Sequence, residues 1–281
     1  MINSHLLARV VSVAISGLFI VGATPDIGWA CDRDTDCKIG DRSYRIILPE
    51  GHDGVMPIPA IIFVHGYRGT AAGVMGNDGL TTMAENLGFA FVAAQAAGPE
   101  WNIPNIPSVD ALVGIDELAY FDAVAEEDIA RRFAIDRPRV IVAGFSSGAM
   151  MAWHLACYRG NSYAGFVSMS GTFWEPLPTT CPTVPSNLIH YHGREDPIVP
   201  LGGRQIKDAH QGDVMEAIAL VAGLSDYAPA PPEQAGGADC SRQVDDKHRL
   251  LELCLFTGKH EMKVAHLARA IRAIEESGFS R

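Results

Sequence analysis

Apolar residues along the chain form two alternating patterns. Short continuous apolar runs are typical of strands buried on both faces of a parallel sheet. They occur at 42–48, 60–64, 89–94, 139–143, 163–169, 187–192 and 250–256. Longer stretches with apolar residues at helical spacing lie between them, at 79–86, 114–133, 147–158, 206–224 and 262–276. This alternation predicts an α/β fold, with helices on both faces of a mainly parallel sheet.

Three stretches interrupt the alternation. Residues 95–109 form a long irregular segment with Trp101 and three prolines, and loops of this length are usually functional. Residues 170–185, which include Trp174, are again irregular, and 225–239 is rich in Pro, Ala and Gly, which predicts a surface excursion. The chain has no internal repeat and no linker-like composition. Residues 31–281 are therefore predicted to form a single domain.

Residues 1–30 have the pattern of a cleaved signal peptide. Their apolar run, Val10 to Ala23, is about 14 residues long, shorter than the roughly 20 that span a bilayer. Small residues precede Cys31, as expected at a cleavage site. We therefore expect a secreted or periplasmic protein with no membrane span, with a lipid anchor on Cys31 as an open alternative.

The charge balance limits the partners. The 281 residues include 33 acidic and 22 basic side chains, a net charge of −11. Removing residues 1–30 deletes one of each, Asp26 and Arg9, and leaves this value unchanged. An acidic chain disfavours nucleic acid and anionic membranes as partners. The oligomeric state stays open.

All six cysteines lie in the predicted mature chain. An even number in an exported protein indicates disulfides, although six cysteines allow 15 pairings. Sequence proximity favours Cys31–Cys37, Cys157–Cys181 and Cys240–Cys254. The alternative, a zinc site, lacks the usual clustered Cys/His spacing. We expect no metal and no cofactor.

The apolar run at 139–143 leads into Gly144-Phe145-Ser146-Ser147-Gly148, a Gly-x-Ser-x-Gly pattern followed by a helix. The pattern alone also occurs in ordinary turns. A strand before it and a helix after it are the context of a nucleophile elbow, in which a sharp turn exposes the serine hydroxyl. Ser146 is therefore the predicted nucleophile.

A serine nucleophile needs a histidine base oriented by a carboxylate, and in this arrangement both follow the serine along the chain. Asp196 lies just past the strand at 187–192, where such sheets place their active sites, and Glu195 is its rival. His260 follows the last strand after a tight turn and is the predicted base. The alternatives for the base are His210, His248 and His266.

The oxyanion of the tetrahedral intermediate needs two N–H donors. We assign these to the backbone amides of Ser147, after the nucleophile, and Tyr67, on the loop after the strand at 60–64. His65 is expected to be structural. Trp101 and Trp174 are expected near the site, either as an aromatic wall for substrate or as anchors of their loops.

Several longer stretches resemble bacterial esterases of the family that includes polyhydroxybutyrate depolymerases and feruloyl or acetylxylan esterases. The matching residues are His65-Gly66, Trp101-Asn102, Gly114-Ile115-Asp116-Glu117, 135–140, 144–151, Leu155-Ala156-Cys157, 192–200 and Gly258-Lys259-His260. The resemblance implies an α/β-hydrolase fold, a triad of Ser146, Asp196 and His260, and no cofactor.

The resemblance implies a serine esterase acting on a small, oligomeric or polymer-derived ester, and the signal-peptide pattern leads us to expect that it is exported. Two departures leave the substrate open. Glu261-Met262-Lys263 stands where the family usually has Trp-Pro-Gly, and the stretch from 196 to 260 is short. Hydroxyalkanoate oligomers, feruloylated or acetylated polysaccharide and small aryl esters all fit. A serine peptidase and a non-catalytic binding protein on the same scaffold are the alternative functions.

Overall fold

The structure is a computed structural model that describes residues 31–107 and 112–278. The signal peptide expected at 1–30 lies outside these residues. In chain order the strands are β1 (Cys37–Ile39), β2 (Arg42–Ile47), β3 (Ile58–Val64), β4 (Ala90–Ala94), β5 (Ile135–Phe145), β6 (Gly165–Met169), β7 (Asn187–Gly193), β8 (Gln205–Ile206), β9 (Ala209–His210), β10 (Ala228–Ala235), β11 (Ala238–Val244) and β12 (Leu250–Phe256).

Ten of the strands in the described ranges form one sheet, in the order β1-β2-β4-β3-β5-β6-β7-β12-β11-β10. The six central strands, β4 to β12 in that order, are parallel. Antiparallel pairs close both edges, β1–β2 at one and β11–β10 at the other. The carboxyl ends of β5, β7 and β12 therefore meet at one edge of the sheet, where Ser146, Asp196 and His260 follow these strands.

Helices cover both faces of the sheet. They are α1 (Ala71–Met75), α2 (Asp78–Asn86), α3 (Glu117–Asp122), α4 (Ile129–Arg132), α5 (Ser147–Tyr158), α6 (Val214–Ala222) and α7 (Val264–Glu276). Side chains of a strand alternate between faces, and β3 shows the result. Ile61 and Phe63 pack into the core under α2 and α7, whereas Ile62 and Val64 pack into the core under α5. The predicted α/β architecture with a mainly parallel sheet is confirmed.

One predicted helix is wrong, and one predicted surface excursion contains a hairpin. The helix expected at 206–224 is a small hairpin, β8–β9, followed by the shorter α6, whose N-terminus Asp213 caps by accepting the N–H groups of Met215 and Glu216. The excursion expected at 225–239 belongs largely to a hairpin, β10–β11, on the sheet edge. Proline is tolerated there because an edge strand need not donate every N–H.

The helix expected at 114–133 is interrupted. It comprises α3, a π-helical segment (Ala123–Asp128) and α4. The short α1 and β1 were not predicted, since five and three residues carry too little periodicity to be recognised.

The structure contains three disulfides, Cys31–Cys37, Cys157–Cys181 and Cys240–Cys254. These are the pairs that sequence proximity favoured. Within the part of the chain that the structure describes, no helix has both the length and the apolar character needed to cross a membrane.

Candidate active site

Ser146 lies between β5 and α5 in a strained backbone conformation, with φ 57° and ψ −122°. A positive φ is costly for any residue that has a Cβ atom. Two glycines make the turn possible. A Cβ on Gly144 would lie 2.1 Å from the carbonyl oxygen of Gly148, and a Cβ on Gly148 would lie 2.0 Å from that of Val64. The backbone of Ser146 is held by its N–H, which donates to Met169 O at 3.0 Å.

Ser146, His260 and Asp196 form a continuous hydrogen-bonded line. His260 Nε2 lies 2.9 Å from Ser146 Oγ, and His260 Nδ1 lies 2.7 Å from Asp196 Oδ2. The other carboxylate oxygen, Oδ1, accepts the N–H groups of Ile198 and Val199 at 2.8 and 2.9 Å. Asp196 is buried, so its charge is directed at His260 through one oxygen while backbone donors hold the other.

Close packing around the turn that carries His260 fixes the position of its ring. A Cβ on Gly193, at the end of β7, would lie 2.2 Å from Lys259 O, so the two segments are in close contact. The ring of Phe145 lies 4.8 Å from that of His260. The base is therefore held between the acid loop and the residue that precedes the nucleophile.

The structure does not bring the rival residues into this line. Glu195 is exposed. His210 lies 3.0 Å from Glu175, and His248 sits in a turn with φ 61°. His266 is buried in α7, where its ring stacks on Tyr191 at 4.5 Å.

The two expected oxyanion donors follow Ser146 and Gly66 in the chain. Ser147 is the first residue of α5, where backbone N–H groups have no intrahelical acceptor. Tyr67 follows Gly66, and a Cβ on Gly66 would lie only 3.3 Å from Ser146 Cβ. Within the described residues, neither amide donates to another backbone carbonyl. The assignment of both amides as oxyanion donors stays a prediction.

The side chains of His65 and Trp101 hold the loop that carries Gly66 and Tyr67. Ala96 N–H donates to His65 Nε2 at 3.2 Å, so the ring proton is on Nδ1, which donates to Gly66 O at 2.9 Å. Burial lowers the pKa of His65 and keeps the ring neutral. Trp101 is fully buried, and its indole N–H donates to His65 O at 2.8 Å. Of the two roles expected for Trp101, the structure therefore supports the loop anchor and not the aromatic wall.

Trp174 borders a cavity of about 100 Å³ beside α5, together with Ile103, Met150, His154 and Phe173. Met150 is four residues, or about 6 Å of helix, beyond Ser146. A second cavity, of about 210 Å³, adjoins the other side of the turn and is lined by Gly66, Gly73, Phe145 and Met262 among others. Sequence reasoning missed both cavities, because each is lined by segments that are distant in the chain.

Sequence reasoning also missed two buried histidines behind Asp196. His190 and His192 alternate with Tyr191 along β7 and so lie on one face of the strand. His190 Nε2 lies 2.9 Å from His192 Nδ1, and neither ring is exposed to solvent. Their His-x-His spacing was the available signal.

One group of side chains in the described ranges has the composition of a metal site, namely Cys240, Glu252 and Cys254. The two sulfurs are bonded to each other. Glu252 accepts hydrogen bonds from Arg242 and Arg269. The sulfurs and the carboxylate of this group on β11 and β12 therefore already have partners other than a metal ion.

Comparison with solved structures identifies the architecture. The chain superimposes on the acetyl xylan esterase from Aspergillus awamori with a TM-score of 0.58 and 17% identity, covering 87% of this chain and 98% of that one. A Bacillus cereus carboxylesterase gives a TM-score of 0.52 at 14% identity, covering 83% and 94%. The chain has the α/β-hydrolase fold. Its strand order and the position of Ser146 between β5 and α5 agree with this fold.

Sequence comparisons confirm the expected resemblance to feruloyl esterases. The phospholipase/carboxylesterase family matches this α/β-hydrolase over residues 113–216. A Nocardia uniformis subsp. tsuyamanensis protein named as an esterase, NocK, is 27% identical over 169 residues, which are 58% of this chain and 47% of NocK. Feruloyl esterase C of Emericella nidulans is 26% identical over 174 residues, 59% of either chain. The alignments thus span about half to three fifths of these relatives.

Proposed function

We propose that the protein is a serine hydrolase that cleaves carboxylic esters through an acyl-enzyme. The observation that carries this proposal is the hydrogen-bonded line from Ser146 Oγ through His260 to Asp196, at 2.9 and 2.7 Å. Serine is a weak nucleophile until a neighbouring base removes its proton. The strained turn and the paired amides of Tyr67 and Ser147 supply the other two requirements, an exposed hydroxyl and an oxyanion site.

In the proposed reaction, Ser146 Oγ attacks the ester carbonyl while His260 Nε2 takes its proton. Asp196 stabilises the imidazolium, and the amides of Tyr67 and Ser147 bind the oxyanion. The carbon–oxygen bond to the alcohol then breaks as His260 returns the proton to the leaving oxygen. Water attacks the acyl-enzyme by the same route and releases the acid and free Ser146. Each step uses only side chains and amides of this chain.

The substrate class in this proposal is an ester with a small or oligomeric acyl group. Relatives named feruloyl esterase and a fold neighbour named acetyl xylan esterase support feruloyl and acetyl esters. Hydroxyalkanoate oligomers remain in the proposal through the resemblance of the motifs. The Trp174 cavity, lined largely by apolar and aromatic side chains, suits a phenolic ring or a short acyl group, and the 210 Å³ cavity beside Gly66 and Phe145 suits a longer acyl chain.

Labelling and turnover together test the activity. The purified protein is treated with a fluorophosphonate and assayed on p-nitrophenyl acetate, butyrate and octanoate, methyl ferulate, acetylxylan and hydroxybutyrate oligomers. Wild type should label and hydrolyse esters, Ser146→Ala should do neither, and His260→Ala should lose activity while His266→Ala keeps it. Absence of labelling, or hydrolysis of peptides only, contradicts the proposal. If only His266→Ala lost activity, His266 and not His260 would be the base.

We also propose that the mature chain begins near Cys31 and works outside the cytoplasm. Three disulfides support an oxidising compartment. Fractionation of cells expressing the full chain, with mass spectrometry of the exported product, tests this. A product that starts at Met1 in the cytoplasmic fraction contradicts it. The Cys31–Cys37 disulfide opposes the anchored alternative, because a lipid anchor would need the same Cys31 sulfur.

A further inference from the structure

Behind the carboxylate of Asp196, a chain of buried polar side chains connects two strands of the sheet. Ser168 Oγ on β6 lies 3.0 Å from His190 Nδ1 on β7, and His190 Nε2 lies 2.9 Å from His192 Nδ1. His192 Nε2 lies 2.7 Å from the carbonyl oxygen of Val199. Ser168, His190 and His192 are completely buried. Burying three polar side chains is unfavourable unless each is hydrogen-bonded, as it is here.

The last acceptor fixes the direction of every bond in the chain. Val199 O can only accept, so His192 Nε2 carries a proton and donates it. In a neutral ring His192 Nδ1 is then an acceptor, which requires the proton of His190 to be on Nε2. His190 Nδ1 in turn accepts from the hydroxyl of Ser168. This leaves the weaker 3.3 Å contact of that hydroxyl to Ala149 O unused.

Both rings are held neutral. Complete burial, reinforced by the neighbouring His192, keeps the pKa of His190 well below its ordinary value. Burial also lowers the pKa of His192. The titratable groups that face the pair are Asp196, whose Oδ2 is 3.6 Å from His192 Nε2, and His260 beyond it. At 3.6 Å the Asp196 contact is too long for a hydrogen bond, so the carboxylate remains committed to His260.

The two ends of the chain hold segments that position the reacting groups. The carbonyl of Val199 accepts a hydrogen bond from His192, and the N–H of Val199 donates to Asp196 Oδ1 at 2.9 Å. At the other end, Ser168 precedes Met169, whose carbonyl accepts the N–H of Ser146 at 3.0 Å. His192 thus holds Val199, the residue whose N–H orients the acid, and His190 holds His192.

We propose that His190 and His192 are positioning residues that hold Asp196 in its hydrogen bond to His260. This inference rests on the proposed function, because it assigns a role through the triad. The role differs from simple packing. An apolar pair could fill the same space, but it would leave the Val199 carbonyl without its donor and the acid loop free to shift.

His192→Leu, His192→Gln and the control His266→Leu test the proposal. Leucine removes the donor to Val199, whereas glutamine keeps an N–H. The control removes a buried imidazole that stacks on Tyr191 of β7 but takes no part in the hydrogen bonds that run from Ser168 to Val199. His192→Leu should lower kcat by about 10- to 100-fold with KM nearly unchanged, as displacements of a catalytic group by up to 1 Å do. His192→Gln should recover most of this loss, and His266→Leu should keep wild-type kcat.

The pH profile separates positioning from packing. Activity requires a neutral base, so the acid limb of the kcat/KM profile reports how strongly the triad stabilises the protonated form of that base. A displaced Asp196 stabilises the imidazolium less, and the limb should move to lower pH in His192→Leu only. An active wild type with an unmoved limb and unchanged kcat in His192→Leu overturns this inference alone. An inactive, unlabelled wild type overturns the proposed function instead.

Nitrogen NMR on the wild-type protein gives a test that needs no variant, should His192→Leu fail to fold. With ¹⁵N-labelled histidine, the two buried rings should appear neutral, with the proton on Nε2, from pH 6 to 8. A proton on Nδ1 of His192, or a charged ring at pH 7, contradicts the bonding direction on which the proposal depends.

Discussion

Ser146 has a backbone conformation that glycine adopts far more easily, and replacing it should reveal the strain. Its φ of 57° and ψ of −122° cost a residue with a Cβ atom about 1–3 kcal/mol. Ser146→Ala keeps this cost and Ser146→Gly removes it. Both variants lose the hydroxyl bond to His260, so that loss cancels. Glycine is opposed by the larger entropy of its unfolded chain, about 0.4–1 kcal/mol. The glycine variant should therefore be more stable than the alanine variant by about 1 kcal/mol.

Urea unfolding of the two inactive variants measures this difference. Ser162 provides the matched control, since it is exposed and is not among the non-glycine residues with positive φ. At Ser162 the order should reverse, with glycine less stable than alanine by about 0.4–1 kcal/mol. A glycine variant at 146 that is destabilised relative to alanine by the same amount as at 162 refutes the reasoning, because the turn would then carry no strain.

Three further predictions concern stability and selectivity. Burial, then the nearby Arg159, lowers the pKa of His154 to about 4. Below pH 6.5 the unfolded chain therefore binds a proton at His154 that the folded chain does not bind. Between pH 7.5 and 5, the free energy of unfolding in urea should fall by about 2 kcal/mol more in wild type than in His154→Gln. Gly73→Leu should fill the 210 Å³ cavity and lower kcat/KM for octanoate relative to acetate esters by about 10-fold or more, whereas Gly76→Leu, at the end of the same helix and not in the lining, should not. Replacing Cys157 and Cys181 by alanine opens a loop with a sequence separation of 24 and should cost about 3 kcal/mol by thermal unfolding in non-reducing buffer. The first prediction fails if wild type and His154→Gln show the same pH dependence, and the second fails if Gly73→Leu keeps the wild-type selectivity. The third fails if the thermal midpoint is unchanged without the disulfide.

The central sheet and the order of the candidate site residues could be predicted because both depend on local signals. A continuous apolar run predicts a buried strand wherever the strand pairs, and Gly-x-Ser-x-Gly encodes its own turn. The β10–β11 hairpin could not be predicted in this way. The Pro-rich residues of β10 favour turns, and they form a strand only through pairing with β11, which in turn pairs with β12.

The failures within the site have a similar cause. Trp101 lies on an irregular loop, and nothing local says whether its ring faces solvent or the protein interior. The structure places it against His65, 36 positions earlier in the chain. The bond between Ser168 and His190 likewise exists only because β6 and β7 are neighbours and pair these two residues in register. Predicting either contact requires the tertiary arrangement of strands.

The way Asp196 is held leads to a last prediction, for Asp196→Asn. Oδ1 accepts two backbone N–H groups, from Ile198 and Val199, at 2.8 and 2.9 Å. An asparagine must keep its carbonyl oxygen there, which turns its NH₂ group towards His260 Nδ1. That nitrogen then has to accept, so the ring proton moves to Nε2.

A base with its proton on Nε2 can donate to Ser146 Oγ but cannot take the serine proton. Asp196→Asn should therefore fold with nearly wild-type stability, because both backbone bonds remain, yet lose about 10⁴-fold in kcat, the order found when a triad carboxylate is converted to its amide. Urea unfolding and ester hydrolysis at pH 7.5 measure the two effects. Asp196→Ala is the comparison, since it removes the acceptor and should lose stability as well. If Asp196→Asn retained a tenth of the activity, Asp196 would not set the tautomer of His260.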